Sequence, residues 1–132
     1  MDRKKIVFVS TNWAAPWGGS ELLWSQAAHA LIRFGHAASA SVYRWPKPAD
    51  QIRRLREAGV SVHERGWKLA TLGPPLLGKV FGLFGRQFAM RTFPSWIRRQ
   101  APNLICLSLG SPADDPALIK HCAASGIPYV IV

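Results

Sequence analysis

The sequence has few acidic residues and few cysteines. Seven Asp and Glu face 17 Lys and Arg, so the formal net charge is +10 over 132 residues. The two cysteines, Cys106 and Cys122, form no CxxC motif, and the four histidines are scattered, so we expect free thiols and no metal. No apolar run approaches the roughly 18 residues that cross a bilayer, and no signal-peptide cleavage site follows the basic N-terminus. These absences predict a cytoplasmic protein.

The positive charge is unevenly distributed along the chain. The stretch 65–113 contains seven basic residues and no acidic one. Such a surface attracts a phosphorylated substrate, an anionic membrane or a nucleic acid. Charge alone does not choose among these partners.

Apolar strand patterns alternate with helical patterns over a length that suits one domain. Strands are predicted at Ile6–Val9, Ala38–Tyr43, Val60–His63, Leu104–Leu107 and Tyr129–Val132, and helices at about Ser20–Phe34, between Asp50 and Gly59, and after Asp115–Pro116. Short crossovers of this kind predict a Rossmann-like α/β fold of three layers, with a parallel sheet of about five strands. Because the chain stops within an apolar strand, we interpret residues 1–132 as the N-terminal part of a longer protein.

The most informative motif is Gly18-Gly19, which lies between the first strand and the first helix. Helix N-termini favour anions, and glycine allows a phosphate to approach the backbone closely. The spacing matches neither the dinucleotide fingerprint G-x-G-x-x-G nor a P-loop, since no Gly-Lys-Ser/Thr occurs. The alternative is a tight turn that only leads into the helix.

Three ordered segments resemble the GT-B glycosyltransferases of the large retaining, nucleotide-sugar-using family (glycosyltransferase group 1, family 4-like). The first runs PWGGSELLWSQAAHALIRFGH and includes Gly18, Gly19, Glu21, Gly35 and His36. The second, APNLICLS, is similar to a family strand that usually begins Pro-Asp, and the third is SGIPYV. In this chain Asn103 stands at the aspartate position.

The resemblance implies an acceptor-side domain that faces a second Rossmann-like domain across a cleft. It implies that Gly18 and Gly19 contact the diphosphate of a nucleotide-sugar donor, with a sugar or a lipid-linked molecule as acceptor and without a further cofactor. The donor-binding domain is absent from these residues, so we expect no transfer by this chain alone. Some relatives carry a sugar-contacting histidine after the fourth strand, but LSLGS contains none.

Several residues are candidates for lining the cleft, although no catalytic residue is assigned. They are Asn12, Trp13, Trp17 and Glu21 near the first loop, and Ser108, Gly110 and Ser111 after the fourth strand. Tryptophan and amide side chains suit a sugar, and ligands of open α/β sheets bind beyond the carboxyl ends of strands. A turn of small residues is the alternative at Ser108–Ser111. Asp114 and Asp115 fit helix capping better than acid–base catalysis.

The basic and aromatic stretch 67–99 has three interpretations. Its apolar residues pack on the sheet, or they contact a membrane peripherally while Lys and Arg meet anionic headgroups. A groove for an acidic acceptor or a nucleic acid is the third, although no nucleic-acid-binding module is recognisable. The competing function is a non-catalytic, basic Rossmann-like module that binds polyanions.

Overall fold

The computed structural model describes residues 2–66, 94–110 and 116–132. Within them, the strands are β1 (Lys5–Ser10), β2 (Ala37–Tyr43), β3 (Ser61–Arg65), β4 (Leu104–Ser108) and β5 (Tyr129–Ile131). They form one sheet in the order β3-β2-β1-β4-β5, and every neighbouring pair is parallel. The predicted Rossmann-like α/β fold with five parallel strands is confirmed.

Helices cover both faces of the sheet. The helical residues are α1 (Gly19–Arg33), α2 (Asp50–Glu57), α3 (94–100) and α4 (Pro116–Ala124). On one face Phe8 packs with Trp24 of α1 and Leu55 of α2. On the other face Val7 packs with Ile97 of α3 and Leu118 of α4. These two apolar clusters define the three predicted layers.

The central strand β1 explains where a site can form. Val7 and Val9 are fully buried because both faces of the strand are covered, which accounts for the unbroken apolar run. The strand then ends on Ser10, which pairs in register with Ser108 at the end of β4. Buried polar side chains therefore meet at the carboxyl ends of the central strands, where open α/β sheets bind ligands.

Helix α1 lies where the sequence predicts it, but the face that packs on the sheet differs from the face that apolar spacing predicts. Its C-terminus is as expected, since Gly35 adopts a positive φ of 81°. The spacing of Leu23, Trp24, Ala27, Leu31 and Phe34 predicts an inward stripe, but Leu23 and Phe34 are 61% and 75% exposed. The buried positions are Glu21, Trp24, Ser25 and Ala28 instead. Hydrophobic spacing mispredicted this face because the sheet offers hydrogen-bond partners to a polar residue at its carboxyl end.

The strand β5 forms an edge of the sheet. Its residues Tyr129, Val130 and Ile131 are between 38% and 43% exposed, as expected of an edge strand rather than of a strand covered on both sides. Only β4 pairs with β5 within the described part of the chain, which leaves an apolar edge open to solvent.

Part of the basic stretch 67–99 packs on the sheet. Trp96 and Ile97 of α3 are buried in the second core cluster, which agrees with the packing interpretation for these two residues. Residues 67–93 lie outside the described part of the chain, as do Ser111, Asp114 and Asp115. Among the helices that the structure describes, none is long and apolar enough to cross a membrane.

Candidate functional site

The centre of the candidate site is the buried carboxylate of Glu21. This side chain is 3% exposed, and it faces the end of β1 rather than the solvent. Its Oε1 accepts a hydrogen bond from Ser10 Oγ at 2.6 Å, and its Oε2 accepts from Asn12 Nδ2 at 2.8 Å and Ser20 Oγ at 3.1 Å. Three donors compensate the desolvation of the charge. Glu21 therefore ties the strand, the loop and the helix together.

The two glycines of the turn differ in their surroundings. A Cβ on Gly18 would lie 3.0 Å from Glu21 Oε2 and 3.2 Å from Asn12 Nδ2. Gly18 has an extended backbone, with φ −147° and ψ −172°, so its lack of a side chain matters for space. A Cβ on Gly19 would meet no atom within 4 Å. Gly18 thus packs against the carboxylate network, whereas Gly19 borders open space.

The backbone amides at the start of α1 suit an anion, and the first turn also contains the carboxylate of Glu21, which lies on the side of Gly18. No side chain of the described residues caps the helix at Gly18. The first amides of a helix have no partner within it and carry the positive end of the helix dipole. Because the space beside Gly19 is open, a phosphate-sized anion could reach these amides from that side.

A buried arginine joins the site from β3. Arg65 is 4% exposed; its Nη1 donates to Ser41 Oγ at 2.8 Å, and its Nη2 donates to the Ser10 carbonyl. The guanidinium lies 4.5 Å from the centre of the Tyr43 ring, a cation–π distance. Ser10 therefore contacts Arg65 through its carbonyl and Glu21 through its hydroxyl. The Arg65 guanidinium and the Glu21 carboxylate thus both hold the last residue of β1.

The β4 side of the site is organised by Thr11. Its Oγ1 donates to the Ser108 carbonyl at 3.3 Å and accepts from the Gly110 amide at 3.1 Å. Ser108 itself is 1% exposed, so it does not line an open cleft, whereas Gly110 is exposed. Among the described residues, Ser108 Oγ has no hydrogen-bond partner. The unsatisfied hydroxyl lies on the strand beside Ser10.

The tryptophans of the first loop have different environments. Trp13 is 53% exposed, whereas Trp17 packs partly on the core, its ring 5.9 Å from that of Trp24. Trp17 also borders a crevice with Tyr43 and Trp45, which encloses about 10 Å³. That volume suits about one water molecule and is far too small for a sugar ring.

The sequence patterns do not identify Ser10, Thr11 and Arg65 as parts of the site. The sequence predicts the third strand at Val60–His63, yet β3 continues to Arg65. One signal in the sequence could have found the other two: Ser10 and Thr11 come directly after the apolar run Ile6–Val9, at the strand end where open α/β sheets bind ligands.

His63 of β3 should make the stability of the protein depend on pH. Its pKa is lowered by burial, then by the positive charges of Arg65, Arg44 and Arg99, which Glu64 opposes only in part. The unfolded chain therefore binds a proton first, and stability should fall as the pH drops below about 6.5.

The variant His63→Phe tests this dependence because it keeps a ring against Trp96, 5.0 Å from the imidazole, but cannot titrate. We expect urea midpoints, measured from neutral to mildly acidic pH, to fall less steeply in the variant than in the wild type. Parallel curves for the two proteins would rule out His63 as the source.

The described residues contain no group of three or more His, Cys, Asp or Glu that could hold a metal ion.

Both cysteines are buried, and burial raises the pKa of Cys122 to about 11. Thiolate chemistry is therefore suppressed at this position.

No protein-family model and no curated protein matches the sequence. Solved structures do resemble it. A glycosyltransferase from Rickettsia africae superposes with a TM-score of 0.62 at 10% identity, covering 99% of this chain and 30% of that chain. Glycyrrhiza uralensis UGT73P12, complexed with glycyrrhetinic acid 3-O-monoglucuronide, superposes with a TM-score of 0.55 at 15% identity. The match covers 98% of this chain and 28% of that chain.

This likeness shows the fold: the chain has the Rossmann-like α/β fold found in part of these glycosyltransferases. The chain spans less than a third of the length of either similar protein, so the match corresponds to a single portion of a larger chain.

Proposed function

We propose that this chain is the N-terminal, acceptor-side domain of a nucleotide-sugar glycosyltransferase of the retaining GT-B type. The observation that carries the proposal is the uncapped first turn of α1 beside the open space at Gly19. The fold shared with glycosyltransferases, and the three resembling sequence segments, make a donor diphosphate the anion that suits this turn.

In the proposed reaction, the chain contributes electrostatic stabilisation. Backbone amides of the first turn would donate hydrogen bonds to the diphosphate as negative charge develops on the leaving nucleotide. Glu21 and Arg65 would act indirectly, since both hold Ser10 and so fix the course of the loop that precedes Gly18. The acceptor would approach from the side of the exposed Trp13.

The proposal requires a second Rossmann-like domain, because the sugar and base of the donor need protein contacts on the opposite side of the cleft. The apolar edge of β5 is a surface on which further structure from a longer chain could pack. We infer that residues 1–132 alone bind the diphosphate weakly and transfer no sugar.

The reading frame of the gene tests the two-domain proposal. We expect it to continue past Val132 into a second α/β domain that carries a pair of spaced glutamates. A stop codon directly after Val132 would contradict the transferase assignment and would favour the competing polyanion-binding module, whose affinity for nucleic acid falls steeply with salt.

A further inference from the structure

Helix α1 is apolar on two opposite sides. Its inner side packs Trp24 and Ala28 into the core. On the opposite side, Leu23 and Phe34 are 61% and 75% exposed, although both are large apolar side chains. A helix that covers a sheet normally presents polar residues to solvent, and large apolar side chains there indicate a contact surface.

The exposed side chains follow one line along the helix, which we call the outer line of α1. It consists of four residues at spacings of four, three and four: Leu23, Ala27, Ala30 and Phe34. Such spacings place residues on one face of a helix. Phe34 belongs to this line because its amide donates to the Ala30 carbonyl at 3.0 Å, which continues the helical hydrogen bonding. None of the four residues carries a charge.

The order of side-chain sizes along the outer line is the same in both directions: large, small, small, large. A two-fold axis that crosses the helix midway between Ala27 and Ala30 therefore makes the line complementary to itself. When two copies of α1 pack antiparallel about this axis, Leu23 of each copy meets Phe34 of the other, and Ala27 meets Ala30. The small alanines at the centre allow the helix axes to approach to about 8 Å.

Charge favours this antiparallel arrangement over a parallel one. The negative end of each helix dipole lies beside the positive end of the other. The only basic residue within α1 is Arg33, and its only acid, Glu21, is buried. The two Arg33 residues of an antiparallel pair lie roughly 14 Å apart along the axis, which exceeds the Debye length of about 8 Å at physiological salt.

The area of the surface sets the strength of the contact. Leu22, which is 53% exposed, extends the apolar area beside the outer line. With the polar residues that flank it, this side of α1 offers roughly 500 Å² in each copy, so a symmetric contact buries roughly 1,000 Å². That area is at the lower limit for a specific interface, and the charge of +10 on each copy weakens the association at low salt.

We propose that two copies of this chain associate through the outer line of α1 as an antiparallel, two-fold symmetric dimer. Leu23 of one copy packs against Phe34 of the other at both ends of the contact. The dimer is independent of the proposed glycosyltransferase function, because the contact includes neither the Gly18-Gly19 turn nor a donor. The two turns lie at opposite ends of the contact.

Sedimentation equilibrium of the chain tests for the dimer. We expect a monomer–dimer equilibrium with a dissociation constant of roughly micromolar size. The dimer should become stronger when the salt concentration is raised from about 50 to about 500 mM, because salt screens the repulsion between the two copies. Binding of a polyanion would show the opposite dependence on salt.

A pair of serine variants tests the location of the contact. Phe34→Ser should weaken the dimer at least about thirtyfold, since it removes a large apolar side chain from both ends of the contact. Val130→Ser is the matched control, because it removes an exposed apolar side chain from the edge of β5, and it should change the dissociation constant no more than about twofold. Both positions are exposed, so circular dichroism should show an unchanged fold.

Disulfide cross-linking between two variants tests the register of the helices. Copies with Leu23→Cys, mixed with copies with Phe34→Cys, should form a covalent dimer on mild oxidation. Each variant alone should form at least about tenfold less, because equal positions lie roughly 16 Å apart along the axis, beyond the reach of a disulfide. The native Cys106 and Cys122 are buried and so do not compete.

Three results would overturn the proposal. One is a chain that stays monomeric up to about millimolar concentration, which would leave the outer line to another kind of partner. Another is a dimer that Val130→Ser weakens as much as Phe34→Ser does, which would place the contact at the edge of β5. The third is equal cross-linking in the mixture and in the single variants, which would exclude the antiparallel register.

Discussion

Glu21→Ala should lower the free energy of unfolding by about 3 kcal/mol, the largest effect expected of any single substitution near the turn. The substitution removes an acceptor from three donors, the Ser10 and Ser20 hydroxyls and the Asn12 amide. Of these donors, Ser10 is 3% exposed, so its hydroxyl cannot form a hydrogen bond with water instead. Urea unfolding, followed by circular dichroism, measures the change.

Two further variants distinguish the loss of these hydrogen bonds from the loss of a negative charge alone. Glu57→Ala also removes a helical glutamate, but its side chain is 59% exposed and forms an exposed ion pair with Arg53, so the expected loss is within about 0.5 kcal/mol. Glu21→Gln should fall between the two, because one of the two accepting oxygens becomes an amide nitrogen, which cannot accept from the Ser10 hydroxyl or from the Asn12 amide. Equal losses for Glu21→Ala and Glu57→Ala would contradict a structural role for the buried carboxylate.

The two glycines of the turn should respond differently to the same substitution. Gly18→Ala should destabilise the protein by about 1–2 kcal/mol, because its Cβ would press against a carboxylate and an amide that already bond each other. Gly19→Ala should change stability by no more than about 0.5 kcal/mol, since its Cβ enters open space at the start of a helix.

Chemical denaturation of the two alanine variants, measured side by side, checks this difference. Each variant is the other's control, since both change one glycine of the same turn into alanine. A large loss at Gly19 with none at Gly18 would mean that the carboxylate network does not limit the space at the turn.

Much of the fold could be predicted from the sequence because it depends on local patterns. The apolar run of β1 indicates a strand covered on both faces, and Gly35 marks the end of α1 by its left-handed conformation. The order of strands and helices then leaves few topologies for a parallel sheet. Strand ends were less predictable, since Arg65 continues β3 as a buried cation that periodicity assigns to a loop.

The candidate site could be predicted only in part. The motif predicts the Gly18-Gly19 turn as a site, and the resembling segment adds Glu21 as a candidate beside it. That Glu21 is buried, and that Leu23 and Phe34 are exposed, could not be read from spacing. Hydrophobicity ranks leucine above glutamate at an inward position, but the Ser10 hydroxyl makes the inward position favourable for a carboxylate.

The central claim is that the first turn of α1 binds a diphosphate through its backbone amides. Titrating inorganic pyrophosphate into the isotope-labelled chain, with amide chemical shifts as the readout, tests it most directly. We predict saturable shifts of the Gly19 and Ser20 amides with a dissociation constant of roughly millimolar size, weakened by Gly19→Ala while the fold is kept. Shifts spread over the Lys and Arg residues, absent at Gly19 and unaffected by Gly19→Ala, would contradict it.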